Sequence, residues 1–269
     1  MEQLTWFAII LACGGAVAGF AAGLLGIGGG AILVPVLYEV FGIAGVDEMV
    51  RTHLAVGTSL CVILPTGLRS AYGHHQKQGV DWDFVRLIAL YIIVGVVLGA
   101  SIAKIVDGTF LRLVYSVAVI GVGLFLLWSR RRRDLRLPWR SDLVTRGYGI
   151  ITGLLSTLMG IGGGTFIASY MAFFGRSMHQ AVGTAAAIGP IIAAPAMVGF
   201  MLAGFESNLL PAGSIGFVSL IGAAFMLPLS LLTAPLGVKA AHGLERDVLE
   251  LVFAWFLIFV GLRFFVSLF

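Results

Sequence analysis

Two apolar stretches of this sequence carry the same glycine run, Gly26-Ile27-Gly28-Gly29-Gly30 and Gly160-Ile161-Gly162-Gly163-Gly164, and the chemistry such runs could perform is anion binding. Glycine interrupts a helix, permits close backbone approach and leaves amides uncovered. A helix that restarts after the break points its first N–H groups, with their partial positive charge, at whatever fills the gap. The expected solute contacts are therefore Gly26, Gly28, Gly29 and Gly30 in the first run and Gly160, Gly162, Gly163 and Gly164 in the second. Thr58 and Thr184 could add hydroxyl donors, or simply bond back to the preceding helical turn.

Four ionisable residues also recur in pairs. His53 and His179 could change charge in the physiological range, although a histidine at a membrane face can equally keep a solvent partner. Lys104 and Lys239 could touch the anion, or their long stems could snorkel from helix ends. These four are the expected coupling or anion-contact residues. Arg69 has no counterpart, because Pro195 stands at the matching position.

Other chemistries fit less well. Gly26-x-Gly28-x-x-Ala31 matches a loose dinucleotide fingerprint, but an apolar helix-length run precedes it instead of a strand, Thr165 fills the third position of the second copy, and no Walker lysine follows. Cys13 and Cys61 lack the spacing of a disulfide framework or a zinc site. No cofactor or metal is expected. A cation permease using His53, His179 or Glu206 is the alternative reading, but the clustered acids that hard cations prefer are missing. The acids lie almost entirely in loops, so no acid, base and nucleophile converge and no enzyme is expected.

The elements that must position these residues are membrane helices. The 269 residues are 59% hydrophobic and 11% charged, where a soluble domain is roughly half apolar and about a quarter charged. A spanning helix needs about 20 apolar residues, and uncharged runs of that order recur, as between Glu2 and Glu39, Arg86 and Lys104, or Arg176 and Glu206. Glu2 stands where a secretory signal would carry positive charge, so the opening segment reads as retained in the membrane. Pro65, Pro190, Pro195, Pro228 and Pro235 fall within such runs and are expected to kink or interrupt them.

The chain repeats itself. Ala18 to Gly30 aligns with Thr152 to Gly164, His53-Leu54-Ala55-Val56-Gly57-Thr58-Ser59 with His179-Gln180-Ala181-Val182-Gly183-Thr184-Ala185, and Lys104 with Gly108 aligns with Lys239 and Gly243. This order gives a first membrane repeat over 1–128, an Arg-rich linker over 129–146 and a second membrane repeat over 147–269. Seven of the seventeen basic residues lie between Arg130 and Arg146, which marks that loop as cytoplasmic by the positive-inside rule and makes a nucleic-acid partner a poor fit. Counting crossings outward puts the loop around Lys77 inside and the acidic loop from Glu39 to Glu48 outside; the Glu206 loop is outside too. Each half then needs a helix–GIGGG–helix hairpin, re-entrant or crossing twice, plus three spanning helices. The expected fold is an all-α polytopic membrane protein of two homologous halves, inverted relative to each other, with parallel halves as the alternative. Small-xxx-small spacing of Gly15, Gly19 and Gly23, and of Gly149 and Gly153, reads as helix packing.

The paired GIGGG segments, each followed by an AVGT-like helix, resemble the sulfite exporter TauE/SafE family, also called the toluene-sulfonate uptake permease family. The resemblance spans nearly the whole chain. It implies a bacterial inner-membrane permease for small anions, often sulfur-containing ones such as sulfite or organosulfonates, with about eight membrane segments. The motif positions it carries over are 26–30, 160–164, 55–58 and 181–184. Which anion is carried, in which direction, with what coupling ion and in what oligomeric state stays open.

Overall fold

The computed structural model describes residues 2–25, 29–130, 142–241 and 246–268. Among the described residues, each half supplies five helices. The first half contains α1 (Glu2–Leu25), α2 (Gly30–Ile43), α3 (Glu48–Gln76), α4 (Trp82–Ile105) and α5 (Gly108–Arg130). The second contains α6 (Asp142–Met159), α7 (Gly164–Phe173), α8 (Met178–Ala203), α9 (Leu220–Ala240) and α10 (Arg246–Val266). The helices α3, α4, α5, α8 and α9 are long and apolar enough to cross a membrane, and α10 adds a shorter apolar stretch over Ala254–Val266. The protein is a multi-pass membrane protein.

Both glycine runs end one helix and begin another, and both pairs fold back as antiparallel hairpins. In the first, Gly14 of α1 faces Val36 of α2, and Gly29 rests on Ala18. In the second, Thr145 and Tyr170 share a hydroxyl–hydroxyl hydrogen bond of 2.8 Å, and Tyr148 donates to the Phe166 carbonyl at 2.8 Å. The returning arms are short. At 1.5 Å per residue, the 14 residues of α2 and the 10 of α7 reach about 21 and 15 Å, less than the roughly 30 Å of bilayer hydrocarbon.

Packing crosses between the halves reciprocally. α1 runs parallel to α9, with Gly15, Gly19 and Gly23 set against the backbone at Met226, Ser230 and Ala234 so closely that no side chain would fit. α6 runs parallel to α4 in the matching way, with Gly149 and Gly153 facing Ile88 and Ile92, and Gly95 and Gly99 facing Ile150 and Leu154. The spaced glycines are packing faces, as their small-xxx-small spacing suggests. The matched helices α3 and α8 cross antiparallel, bringing Gly57 to Phe200 and Gly67 to Pro190. α5 and α10 are antiparallel as well, with Gly123 facing Ile258 and Gly261 facing Ile120.

Three sequence expectations are amended. The prolines do not interrupt their helices: α3 continues through Pro65, α8 through Pro190 and Pro195, and α9 through Pro228 and Pro235, because neighbouring helices bury the freed backbone groups. The fold is not purely helical, since β1 (Ser214–Ile215) pairs antiparallel with β2 (Val218–Ser219) in front of α9. Gly213 and Gly216, both at positive φ, turn that hairpin. The linker expected over 129–146 is narrower, because α5 runs to Arg130 and α6 begins at Asp142; its centre, 131–141, lies outside the described residues.

One buried cation ties the periphery together. Arg112 on α5 is 6% exposed, donates to the Tyr38 hydroxyl at 3.0 Å and pairs with Glu48 at 2.9 Å. Those bonds join α5 to α2 and α3, a cross-link that uncharged-run counting gave no reason to expect.

Candidate functional site

At the second break, α6 closes with a left-handed glycine cap. Gly160 has φ +65°, its N–H reaches the Thr157 carbonyl at 3.3 Å and the Ile161 N–H reaches the Ser156 carbonyl at 3.0 Å. This is the Schellman pattern, which only glycine adopts without strain. The chain then passes Gly162 to Gly163, at φ +69°, where α7 starts; the Ile167 N–H bonds back to the Gly163 carbonyl at 3.1 Å. The amides of Gly164, Thr165 and Phe166 precede that first bond and have no carbonyl within the helix to meet them. Ile161 to Thr165 are all buried.

The first break mirrors this where it is described. Gly29, at φ +72°, stands at the N-cap of α2 with no side-chain cap hydrogen bond, and its carbonyl accepts from Ile32 and Leu33 at 3.0 and 3.1 Å. Gly26 and Gly28 lie outside the described residues. A tyrosine steadies each restarting helix: the Tyr115 hydroxyl donates to the Ala31 carbonyl at 2.9 Å, and Tyr148 to Phe166 as noted above.

The two breaks meet. A β-carbon on Gly30 would collide with the Gly160 carbonyl and stand 2.8 Å from the Ile161 α-carbon. Ser59 on α3 reaches the same place, its hydroxyl 2.8 Å from the Gly160 carbonyl and 2.7 Å from its own-turn Val56 carbonyl. Ser156 on α6 is fully buried and its hydroxyl has no hydrogen-bond partner among the described residues. A β-carbon at Gly163 would collide with Ile192 Cδ1 and stand 3.0 Å from that oxygen, so the N-cap glycine lies directly beside the serine hydroxyl. Uncapped amides at the start of α7 and an unused serine hydroxyl beside its N-cap thus lie in one buried region, and both are donors that suit an anion.

A family model described as sulfite exporter TauE/SafE matches residues 11–264, which take in both breaks and both AVGT segments. The chain belongs to the sulfite exporter TauE/SafE family. A probable membrane transporter protein of Haemophilus influenzae is 32% identical over 97% of this chain and 100% of its own length. One of Methanocaldococcus jannaschii is 25% identical over 92% of this chain and 91% of its own, and one of Bacillus subtilis, YdhB, is 26% identical over 71% and 78%. No solved structure matches. Membership in the TauE/SafE family makes this a membrane transporter.

Within that TauE/SafE frame, the AVGT threonines turn out to be structural partners of the other half. Thr58 is fully buried, and its hydroxyl accepts from the Ser219 N–H at 2.9 Å; Ser219 is the N-cap of α9. Thr184, equally buried, accepts from the Asp81 N–H at 2.9 Å; Asp81 is the N-cap of α4. The preceding glycines make room for these approaches, Gly57 lying against the Phe217 carbonyl and Gly183 against that of Gly79. Each hydroxyl therefore accepts at the N-cap of a helix in the other half.

The paired ionisable residues differ in exposure and setting. Lys104 and Lys239 are exposed in the last turns of α4 and α9, where snorkelling suffices to explain them. The histidines share a register but not an environment. His53 is 4% exposed, lies 3.1 Å from the Ala103 carbonyl through Nε2 and packs on Phe217 at 4.8 Å between ring centroids. His179 is exposed. A third histidine, His74, is buried with Nε2 3.1 Å from the Gly23 carbonyl. Among the described residues, no three His, Cys, Asp or Glu side chains gather where they could hold a metal.

Sequence reasoning missed Ser156. A signal was present, since it is a hydroxyl in an apolar run where the first copy has Ala22. His74 and Arg112 carried no such signal, because neither has an equivalent in the other repeat.

Proposed function

We propose that this protein is a secondary transporter for a small anion, sulfur-containing and of the sulfite or organosulfonate kind, bound where the two glycine breaks meet. The observation that carries the reading is the contact of Gly30, the first residue of α2, with Gly160 and Ile161 just past the end of α6: the two breaks meet among helices long and apolar enough to cross a membrane. Paired broken helices at the interface of repeats are a recurrent way to build such a site. The family's description supplies the preference for sulfur oxyanions.

The antiparallel crossings of α3 with α8 and of α5 with α10 favour inverted halves, since each pairs an element with its own repeat mate. The short α2 and α7 favour re-entrant arms that end within the bilayer. On this topology the Arg-rich central loop is cytoplasmic and the protein sits in a bacterial inner membrane.

The test is a counterflow screen with purified protein in liposomes, using sulfite, ethanesulfonate and acetate against chloride. Saturable exchange of a sulfur oxyanion is the expected result. Absence of exchange for the whole panel rejects the reading.

A further inference from the structure

The two breaks are built on the same glycine frame, yet the polar atoms around them are not shared. At the second, Gly163 lies between Ile192 and the hydroxyl of Ser156, which is buried and has no partner among the described residues. At the first, the equivalent Gly29 rests on the carbonyl oxygen of Ala18, and Ala22 holds the position of Ser156. A hydroxyl offers an anion a donor, whereas a carbonyl oxygen only repels it. On the third helices, Ser70 and His74 of α3 reach the first hairpin but are engaged with its backbone, the Ser70 hydroxyl donating to the Ala22 carbonyl at 3.3 Å and His74 Nε2 lying 3.1 Å from that of Gly23. Ser59 of α3 reaches the second break through the Gly160 carbonyl, while its counterpart on α8 is Ala185, which has no hydroxyl to extend.

Resting on the anion-transport reading, we propose that side-chain recognition of the solute belongs to the second hairpin alone. Ser156 donates to the charged group at the start of α7, and Ser59 acts as a positioning residue that holds Gly160 in place. The first hairpin supplies backbone and an apolar wall of alanines. A site so divided accepts an anion with one charged end and rejects one with charge at both, because the far end would face Ala18 and its carbonyl without a donor.

The experiment is counterflow in proteoliposomes with labelled ethanesulfonate, competed by unlabelled ethanesulfonate or ethane-1,2-disulfonate. Ser156→Ala is expected to raise KM for ethanesulfonate about tenfold, the loss of one hydrogen bond to a charged group, with maximal rate changed far less. Ser59→Ala is expected to raise KM with maximal rate unchanged. The disulfonate is expected to compete at least about tenfold more weakly. Should Ser156→Ala not fold, the nearly isosteric Ser156→Cys provides the same comparison through a much weaker donor.

Equal KM in the parent and in the Ser156 variants, or equal competition by the disulfonate, overturns the division of labour while transport stands. No exchange of any probe by the parent protein overturns transport itself.

Discussion

Replacing the two AVGT threonines by valine separates a structural role from a ligand role, because valine keeps the shape and deletes only the hydroxyl. In Thr58→Val the Ser219 N–H loses its acceptor in a fully buried setting, and an unsatisfied buried donor costs about 1–3 kcal/mol. The upper half of that range applies, since Ser219 is 4% exposed and water cannot replace the threonine. Thr184→Val falls near the lower end, about 1 kcal/mol, because the Asp81 amide is only partly buried. At about 2–4 °C per kcal/mol for a chain of this size, the expected drops in melting temperature are about 4–12 °C and 2–4 °C. The caps sit on different helices and share no partner, so the double variant should show the sum. Melting is followed by tryptophan fluorescence in detergent, and KM by counterflow in liposomes. A tenfold rise in KM with an unchanged melting temperature in either variant would refute the capping role and return the threonines to the solute.

Three further outcomes follow from packing and placement. Gly23→Leu drives a side chain into the Ala234 carbonyl across the α1–α9 seam and should abolish the monodisperse folded peak in size exclusion; Gly147→Ala, which meets nothing within 4 Å, should leave the peak intact. Lys104→Ala and Lys239→Ala should each keep KM within about twofold, since both side chains are exposed in the last turns of their helices; a larger change in either restores it to the anion path. Inverted halves require cysteines introduced at Gly45 and Ser207 to be labelled by an impermeant maleimide from one face and cysteines at Gln78 and Ser177 from the other, whereas parallel halves would group position 45 with 177.

Repetition made much of this fold readable. GIGGG marked where α1 and α6 stop, because glycine runs end helices whatever surrounds them, and the spacing of Gly15, Gly19 and Gly23 foretold a packing face. The partner of that face was not readable: α9 lies more than 200 residues away in sequence, and small-xxx-small spacing names no partner. Thr58 and Thr184 were visible as a recurring pair, but a buried hydroxyl that caps a distant helix and one that binds a solute look the same in sequence. His53 and His179 show the opposite failure. Matching register promised matching roles, yet Phe217, at the β1–β2 turn, packs on the buried first histidine whereas the second is exposed.

The reciprocal packing also means that the mechanical units are not the sequence repeats. α9 lies with α1 and α3 of the first half: its glycine-lined seam with α1 is backed by a 2.8 Å bond between Thr66 and Ser230, and Thr58 caps its start. By the same logic α4 lies with α6 and α8, and Thr184 caps it. Each unit therefore contains one hairpin, one third helix and the fourth helix of the other repeat. The units meet where α3 crosses α8 and where Gly30 touches Gly160, so the site lies on their boundary. If access alternates by movement of one unit against the other, a disulfide across that boundary must stop transport and one inside a unit must not. With Cys13 and Cys61 replaced by serine, Gly67→Cys with Pro190→Cys joins the units at the α3–α8 crossing. Ala16→Cys with Thr233→Cys joins α1 to α9 within one unit, at a site where the Thr233 hydroxyl already bonds to the Ala16 carbonyl. Oxidation should block counterflow in the first pair, reversibly with reductant, and leave the second at the parent rate; undiminished exchange through the first disulfide would show that this boundary does not move.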